Sequence, residues 1–162
     1  MAESVNIRPV RDTDRDAVIS IFNHYIVSGY AAYPDEPVRK DFFRYLRERT
    51  FSFLVLEVPG GIVGFGLTKP LLPFPAFSGT CTLTYFIAPG YTKRGLGTLL
   101  LDRLTTEART FGIIVMVANM ASKNHASLRF HKKHGFTEAG RLNDVGKKFG
   151  EPFDLIWMQK EI

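Results

Sequence analysis

An α/β fold built on one mixed sheet is what this sequence predicts, and three observations predict it. Residues 80–118 read as strand, glycine-bearing turn, amphipathic helix and apolar strand, which together make a parallel crossover unit. Two apolar runs, 51–58 and 62–68, meet at Pro59-Gly60-Gly61 as a hairpin. The closing runs, 136–141 and 153–159, read as an antiparallel pair. At 162 residues, with 45% hydrophobic and 23% charged, the chain has the size and composition of one globular domain over 1–162.

The elements follow in order. Residues 5–10 form a short strand, and Asp12 or Thr13 caps a helix whose Val18, Ile21, Phe22 and Tyr25 recur at helical spacing. Between 28 and 37 neither period holds, and the Gly, Pro and aromatic residues there mark a loop near the substrate. A second helix places Phe42, Tyr45 and Leu46 on its inner side. After the hairpin, Pro70, Pro73 and Pro75 argue against regular structure across 69–79. The strand over 80–87 then alternates, with Thr80, Thr82, Thr84 and Phe86 on one face and Cys81, Leu83, Tyr85 and Ile87 on the other. A helix over 98–111 aligns Leu100, Leu104, Ala108 and Phe111 and stops at Gly112. Residues 113–118 are wholly apolar, as a strand covered on both faces requires. Asn124 opens a short helix that ends at Gly135, and a loop containing Gly146 and Gly150 joins the last two strands.

Bulk properties exclude several classes. Cys81 is the only cysteine, so no intramolecular disulfide forms, and no apolar N-terminal stretch resembles a signal peptide or a membrane span. A cytoplasmic protein with no membrane partner is expected. The net charge of +5 is dispersed along the chain, without a basic stripe or a groove-reading helix, so no nucleic-acid partner is expected. The histidines lack acidic partners at ligand spacing, so no metal site is expected either.

The turn after residue 87 carries the strongest chemical signal. The first N–H groups of a helix have no internal partner and lie at the positive end of its dipole, so an anion can satisfy both. Gly95 and Gly97 remove Cβ atoms that would hold a phosphate away, and Lys93 and Arg94 add positive charge.

Three features together resemble the GCN5-related N-acetyltransferase (GNAT) superfamily: the turn Thr92-Lys93-Arg94-Gly95-Leu96-Gly97, the crossover to 113–118, and the segment Asn124-His125-Ala126-Ser127-Leu128-Arg129-Phe130-His131 leading to Gly135-Phe136. Across nearly the whole chain the resemblance extends to its phosphinothricin and methionine sulfoximine acetyltransferase branch. Its marks here are Asn23-His24-Tyr25-Ile26, Tyr33-Pro34-Asp35-Glu36-Pro37, and Gly146-Lys147-Lys148-Phe149-Gly150 followed by Asp154 and Trp157-Met158-Gln159. The resemblance implies a three-layer fold: a mostly antiparallel sheet of six to seven strands with a splayed parallel pair, flanked by about four helices. It implies acetyl-CoA as co-substrate, its pantetheine arm on the backbone of Phe86, Ile87 and Ala88 and its pyrophosphate on the amides of Lys93, Arg94, Gly95, Leu96, Gly97 and Thr98. Asn124 would sit beside the pantetheine arm or thioester. The acceptor would be the primary amine of a small molecule, whether an amino acid, an amino-acid analogue or an apolar amine, and a homodimer is compatible with this reading. A CoA-binding domain with impaired chemistry and a protein N-acetyltransferase are the alternatives.

Acetyl transfer needs a neutral amine, a polarised carbonyl and a stabilised thiolate. In the branch resembled, a glutamate seven residues before the strand-ending proline acts as base; counting back from Pro89 reaches Thr82, which cannot do so but can hold a water. Glu36, in the aromatic loop, is then the leading carboxylate, with Asp154 second. His131 stands where the superfamily places a general acid, and an imidazole can donate to the thiolate or relay its proton. Cys81 lies on the opposite strand face from Thr82, which points to direct transfer without an acetyl-enzyme. Residues 71–77 carry no cation where branch members place an arginine, so Phe74, Phe77 and Tyr33, with Tyr30, are expected to wall an apolar or aromatic amine rather than an anionic one.

Overall fold

The computed structural model describes residues 3–162. Its chain order is β1 (Asn6–Pro9), α1 (Arg15–Ser28), α2 (Phe42–Arg47), β2 (Ser52–Val58), β3 (Gly61–Pro70), β4 (Thr80–Ile87), α3 (Leu96–Thr110), β5 (Val115–Ala121), α4 (His125–Lys133), β6 (Thr137–Lys148) and β7 (Glu151–Glu161). Single 3-10 turns at Asp12–Asp14 and Pro75–Phe77 complete it. One seven-stranded sheet has the order β1-β2-β3-β4-β5-β7-β6, antiparallel except where β4 meets β5. None of the described helices is long and apolar enough to cross a membrane.

Two cores lie on the two faces of this sheet, which makes the fold three-layered. Successive β2 residues explain why: Leu54 and Leu56 join α3's Leu100 and Leu104 on one side, while Phe53 and Val55 join α1's Val18, Phe22 and Ile26 on the other. Arg8 ties three elements at the far edge. Its guanidinium grips Asp14 through two hydrogen bonds of 2.8 and 2.9 Å and reaches Glu57 of β2 at 3.0 Å.

Four expectations about elements are corrected. Tyr45 is exposed, not inward, because α2 is only six residues long and seats Phe43 and Leu46 instead. Phe111 is likewise exposed and packs on Phe51 at the surface, since α3 has ended at Thr110. Regular structure persists through Lys69 and Pro70, because Pro70 lies at the strand's end, where a missing N–H matters least. The glycine-bearing loop expected after residue 141 is mostly strand: β6 runs to Lys148, and only Phe149 and Gly150 turn. Both take positive φ, 54° and 76°, as a type I′ hairpin turn demands.

Candidate active site

The site begins where two strands part. β4 and β5 pair only at Thr80–Val115, Cys81–Met116 and Thr82–Val117, after which β4 stays with β3 while β5 follows β7. In an antiparallel ladder alternate residues turn both backbone groups toward the partner strand. The bond from the Ala88 amide to the Val63 carbonyl, 2.7 Å, sets that alternation here, so Phe86 and Ala88 face β3 and the odd-numbered residues face the gap. The Ala88 carbonyl is also taken, by the Tyr91 amide. Of the three residues expected to offer backbone to a pantetheine arm, only Ile87 turns toward the gap, and its carbonyl already accepts the Tyr25 hydroxyl. The Tyr85 backbone and the Ile87 N–H are the groups that face the opening. That choice follows from ladder register, which residue identity does not encode.

Beyond the gap, the turn into α3 holds bare amides. Lys93 and Gly95 take positive φ, 61° and 80°, and Gly95 is the N-cap, with no side-chain cap present. The N–H groups of Lys93, Arg94, Gly95, Leu96, Gly97 and Thr98 have no acceptor among the described residues. A Cβ on Gly95 would meet nothing within 4 Å, whereas one on Gly97 would stand 3.4 Å from the Phe130 ring. Thus Gly95 serves the backbone conformation, while a Cβ on Gly97 would make only ordinary contact with Phe130. Lys93 and Arg94 are exposed, and neither joins an ion pair among the described residues. Both are available to an anion.

On α4, Asn124 accepts the Ser127 amide at 3.2 Å and caps the helix, which is a reason for asparagine at that place independent of any ligand. Two turns further, His131 is 5% exposed and held at both nitrogens. Nδ1 lies 2.7 Å from the Ser127 carbonyl, which can only accept, so Nδ1 carries the proton of the neutral ring. Nε2 therefore accepts from the Tyr85 hydroxyl, 2.7 Å away. Burial lowers the proton affinity of His131, a tendency partly offset by the bond to Ser127 and reinforced by His134. A neutral His131 thus has no Nε2 proton to donate directly, contrary to the simplest general-acid expectation. Tyr85, whose hydroxyl burial makes a weaker acid, was not singled out from the sequence. Its odd position on β4 was the available signal.

The opposite face collects Thr82, Tyr33 and a residue that sequence reasoning missed, Asn119 of β5. The Tyr33 hydroxyl donates to Asn119 Oδ1 at 2.6 Å, and its ring stacks on Phe153. Thr82 Oγ1 donates weakly to the Lys69 carbonyl at 3.4 Å. Glu36 is exposed on its loop and makes no hydrogen bond or ion pair among the described residues, so it is not brought to Thr82 or His131 by any contact. The expected aromatic wall is not assembled as one surface. Tyr30 and Tyr33 pack on Phe153, while Phe74 and Phe77 stand exposed beside their 3-10 turn with no ring partner among the described residues.

Lys148 is the second residue missed. Its ammonium is buried and donates to the carbonyls of Ile26, Gly29 and Ala32 at 2.6, 2.8 and 2.7 Å, which clamps the β6–β7 hairpin onto the end of α1 and the loop after it. Asn23 pins the far end of that loop through reciprocal bonds with Val38. Asp154 is committed to Arg141 and the Asp144 amide, a structural role. Cys81 is fully buried, its thiol pushed up to about 12 by burial, so it is no nucleophile near neutrality. No group of three His, Cys, Asp or Glu side chains is placed to hold a metal among the described residues. A surface concavity of about 720 Å³ lies over α2 beside Val38, Arg39 and Tyr45, and holds none of these catalytic candidates.

Comparison with known proteins bears on the family and the fold. The Acetyltransferase (GNAT) family profile matches residues 18–136. The L-amino acid N-acyltransferase MnaT of Escherichia coli (strain K12) is 34% identical over 162 residues, spanning 98% of this chain and 94% of its own. The L-methionine sulfoximine/L-methionine sulfone acetyltransferase of Salmonella typhimurium is 33% identical, spanning 98% and 95%. The yncA protein of Salmonella typhimurium, solved with its cofactor acetyl-CoA, superposes with a TM-score of 0.87 at 33% identity, over 97% of this chain and 93% of its own.

Proposed function

The chain belongs to the acetyltransferase (GNAT) family and is an acetyl-CoA-dependent N-acetyltransferase, and from that premise we propose its acceptor and the work of each residue. Acetyl-CoA supplies an activated acyl group and a thiol that leaves readily. Its pyrophosphate is held by the bare amides from Lys93 to Thr98, and its pantetheine arm by the Tyr85 backbone and the Ile87 N–H, with Asn124 alongside. The observation that carries this reading is the parting of β4 from β5 beyond Thr82, beside a helix start whose amides have no other partner.

The acceptor is the primary amine of a small amino-acid-like or apolar molecule whose remaining groups are uncharged. Two features support an uncharged acceptor: Tyr33, Asn119, Thr82 and Phe153 are all neutral, and the nearest buried cation, Lys148, is spent on three carbonyls. Phe74 and Phe77 contribute apolar surface when the acceptor approaches. Thr82 holds a water through its lone pairs, and Glu36 takes the amine's proton by way of solvent. The His131–Tyr85 pair serves the leaving group: with His131 neutral, the Tyr85 hydroxyl turns its hydrogen bond from Nε2 to the departing thiolate, which takes its proton from solvent in exchange for the one the amine releases, so the pair stays neutral throughout. A cytoplasmic location and a homodimer belong to the same reading.

Calorimetry with acetyl-CoA, followed by CoA release over an amine panel, tests it. Acetyl-CoA should bind, and neutral amino-acid amides should turn over with kcat/KM at least about tenfold above phosphinothricin, whose anionic groups find no bidentate cation. Binding without turnover of any amine, or a preference for phosphinothricin, would overturn the acceptor assignment.

A further inference from the structure

The last turn of α4 touches the first turn of α3 through one polar bridge. His134 Nδ1 lies 2.8 Å from the Phe130 carbonyl, and Nε2 lies 3.0 Å from Thr98 Oγ1. The ring also stacks on Phe130, with centroids 4.2 Å apart, and Phe130 in turn covers Gly97. The bridge therefore ends on a residue of the turn assigned above to the pyrophosphate.

Counting protons along it gives a definite result. A carbonyl oxygen only accepts, so Nδ1 holds the single proton of neutral His134, Nε2 accepts, and the Thr98 hydroxyl gives its only proton to the ring. A phosphate oxygen also only accepts. While His134 is neutral, Thr98 has no proton left for it. One proton added at Nε2 reverses the bond: the ring donates to Oγ1, and the hydroxyl proton is released to the phosphate. No covalent bond changes, and the balance is one proton taken from solvent for each anion bound.

We propose that His134 is a positioning residue of the cofactor's phosphate site, taking up a proton as the pyrophosphate binds and acting through the Thr98 hydroxyl. The inference rests on the acetyl-CoA assignment above. The groups around His134 fit it. From α4 they are His131, on which its charge acts, and the neighbouring Lys132 and Lys133; from β7, the Lys160 stem reaches adjoining Gly135; from the turn before α3 come Lys93 and Arg94. None of these is an acid, and the one carboxylate a turn beyond Thr98 on α3, Asp102, is exposed to solvent, so the incoming anion is the group a new positive charge would pair with.

The test uses the full chain and acetylated 3′-dephospho-CoA, a ligand with neither a free thiol nor a phosphate monoester to exchange protons itself. Titration calorimetry in buffers of different ionisation enthalpy should show net proton uptake, approaching one per ligand, and Kd should tighten by up to about tenfold per pH unit on acidification. His134→Leu and Thr98→Val should each abolish the uptake, with folding checked by circular dichroism, and Thr98→Ser should retain it. Binding by the parent without proton uptake, or uptake that persists in both variants, would overturn the role of His134 alone. A parent that binds neither this ligand nor acetyl-CoA would overturn the cofactor assignment and, with it, this inference.

Discussion

His131 shows how much a side chain's chemistry depends on partners that its own identity does not reveal. Its place on α4 was legible as a family position, and the expectation of a proton donor followed. The Ser127 carbonyl and the Tyr85 hydroxyl then settle which nitrogen is bare, and burial keeps the ring neutral. Glu36 is the reverse case: a suggestive motif position that the fold leaves exposed without a partner. The two make opposite predictions. His131→Gln should lower kcat by about a hundredfold with acetyl-CoA affinity unchanged, the range expected when the donor to a developing negative charge, here the Tyr85 hydroxyl that His131 orients, is lost. Glu36→Gln should lower kcat by less than about tenfold, because solvent can replace an exposed carboxylate as proton acceptor. Steady-state kinetics together with calorimetry on the two variants decides both.

At the level of elements, the residues that mark the family resemblance turn out to be fasteners. Asn23 pins the loop after α1 to Val38, Tyr25 closes the Ile87 carbonyl, and Lys148 gathers three carbonyls at the end of α1. Gly146 is needed because a Cβ there would stand 2.1 Å from the Phe153 ring, on which Tyr33 stacks. Reading the strand after residue 141 as a loop came from giving Gly146 turn meaning, when its glycine answers to Phe153 across the ladder. Lys148→Met should therefore reach beyond local stability. Stranding buried carbonyls costs roughly 1–3 kcal/mol each, so a loss of about 3 kcal/mol or more is expected in urea unfolding. Because the clamp holds the loop bearing Tyr33, KM for the amine should rise while acetyl-CoA affinity stays within about twofold. A variant as stable as the parent would show that the three bonds do not hold the loop.

For the whole molecule, one sheet with two cores separates the two halves of the chemistry. α3 and α4 cover the face toward which Tyr85 and His131 point, and α1 with its loop covers the face of Thr82 and Tyr33. The edge is secured by Arg8, whose bonds hold the Asp14 carboxyl below the usual range, while burial pulls it the other way. The sign follows from linkage. Asp14 binds its proton less readily folded than unfolded, so its stabilisation is complete above the ordinary carboxylate value near 3.9 and is lost as pH falls through the lower folded value. The urea midpoint of the parent should thus fall steeply below about pH 4. Asp14→Asn should be destabilised by about 3 kcal/mol at pH 7, having left Arg8 without its buried partner, and should show a shallower acid decline. Equal acid slopes in the two proteins would remove Asp14 from the account.

The sequence by itself determined the α/β class, all seven strands and four helices, the glycine turn and the family, because periodicity, glycine placement and helix-start amides are local properties of a few adjacent residues. Its errors at the element level were errors of extent and facing, as with Tyr45 and the long β6. Only the tertiary structure decided which backbone groups of β4 face the gap, that Phe86 and Ala88 are spent on β3, and that Tyr85 bonds His131, Tyr33 bonds Asn119, Thr98 bonds His134 and Lys148 gathers three carbonyls. Those facts depend on ladder register and on contacts between residues far apart in the chain, where one residue of slip would exchange the two faces of a strand.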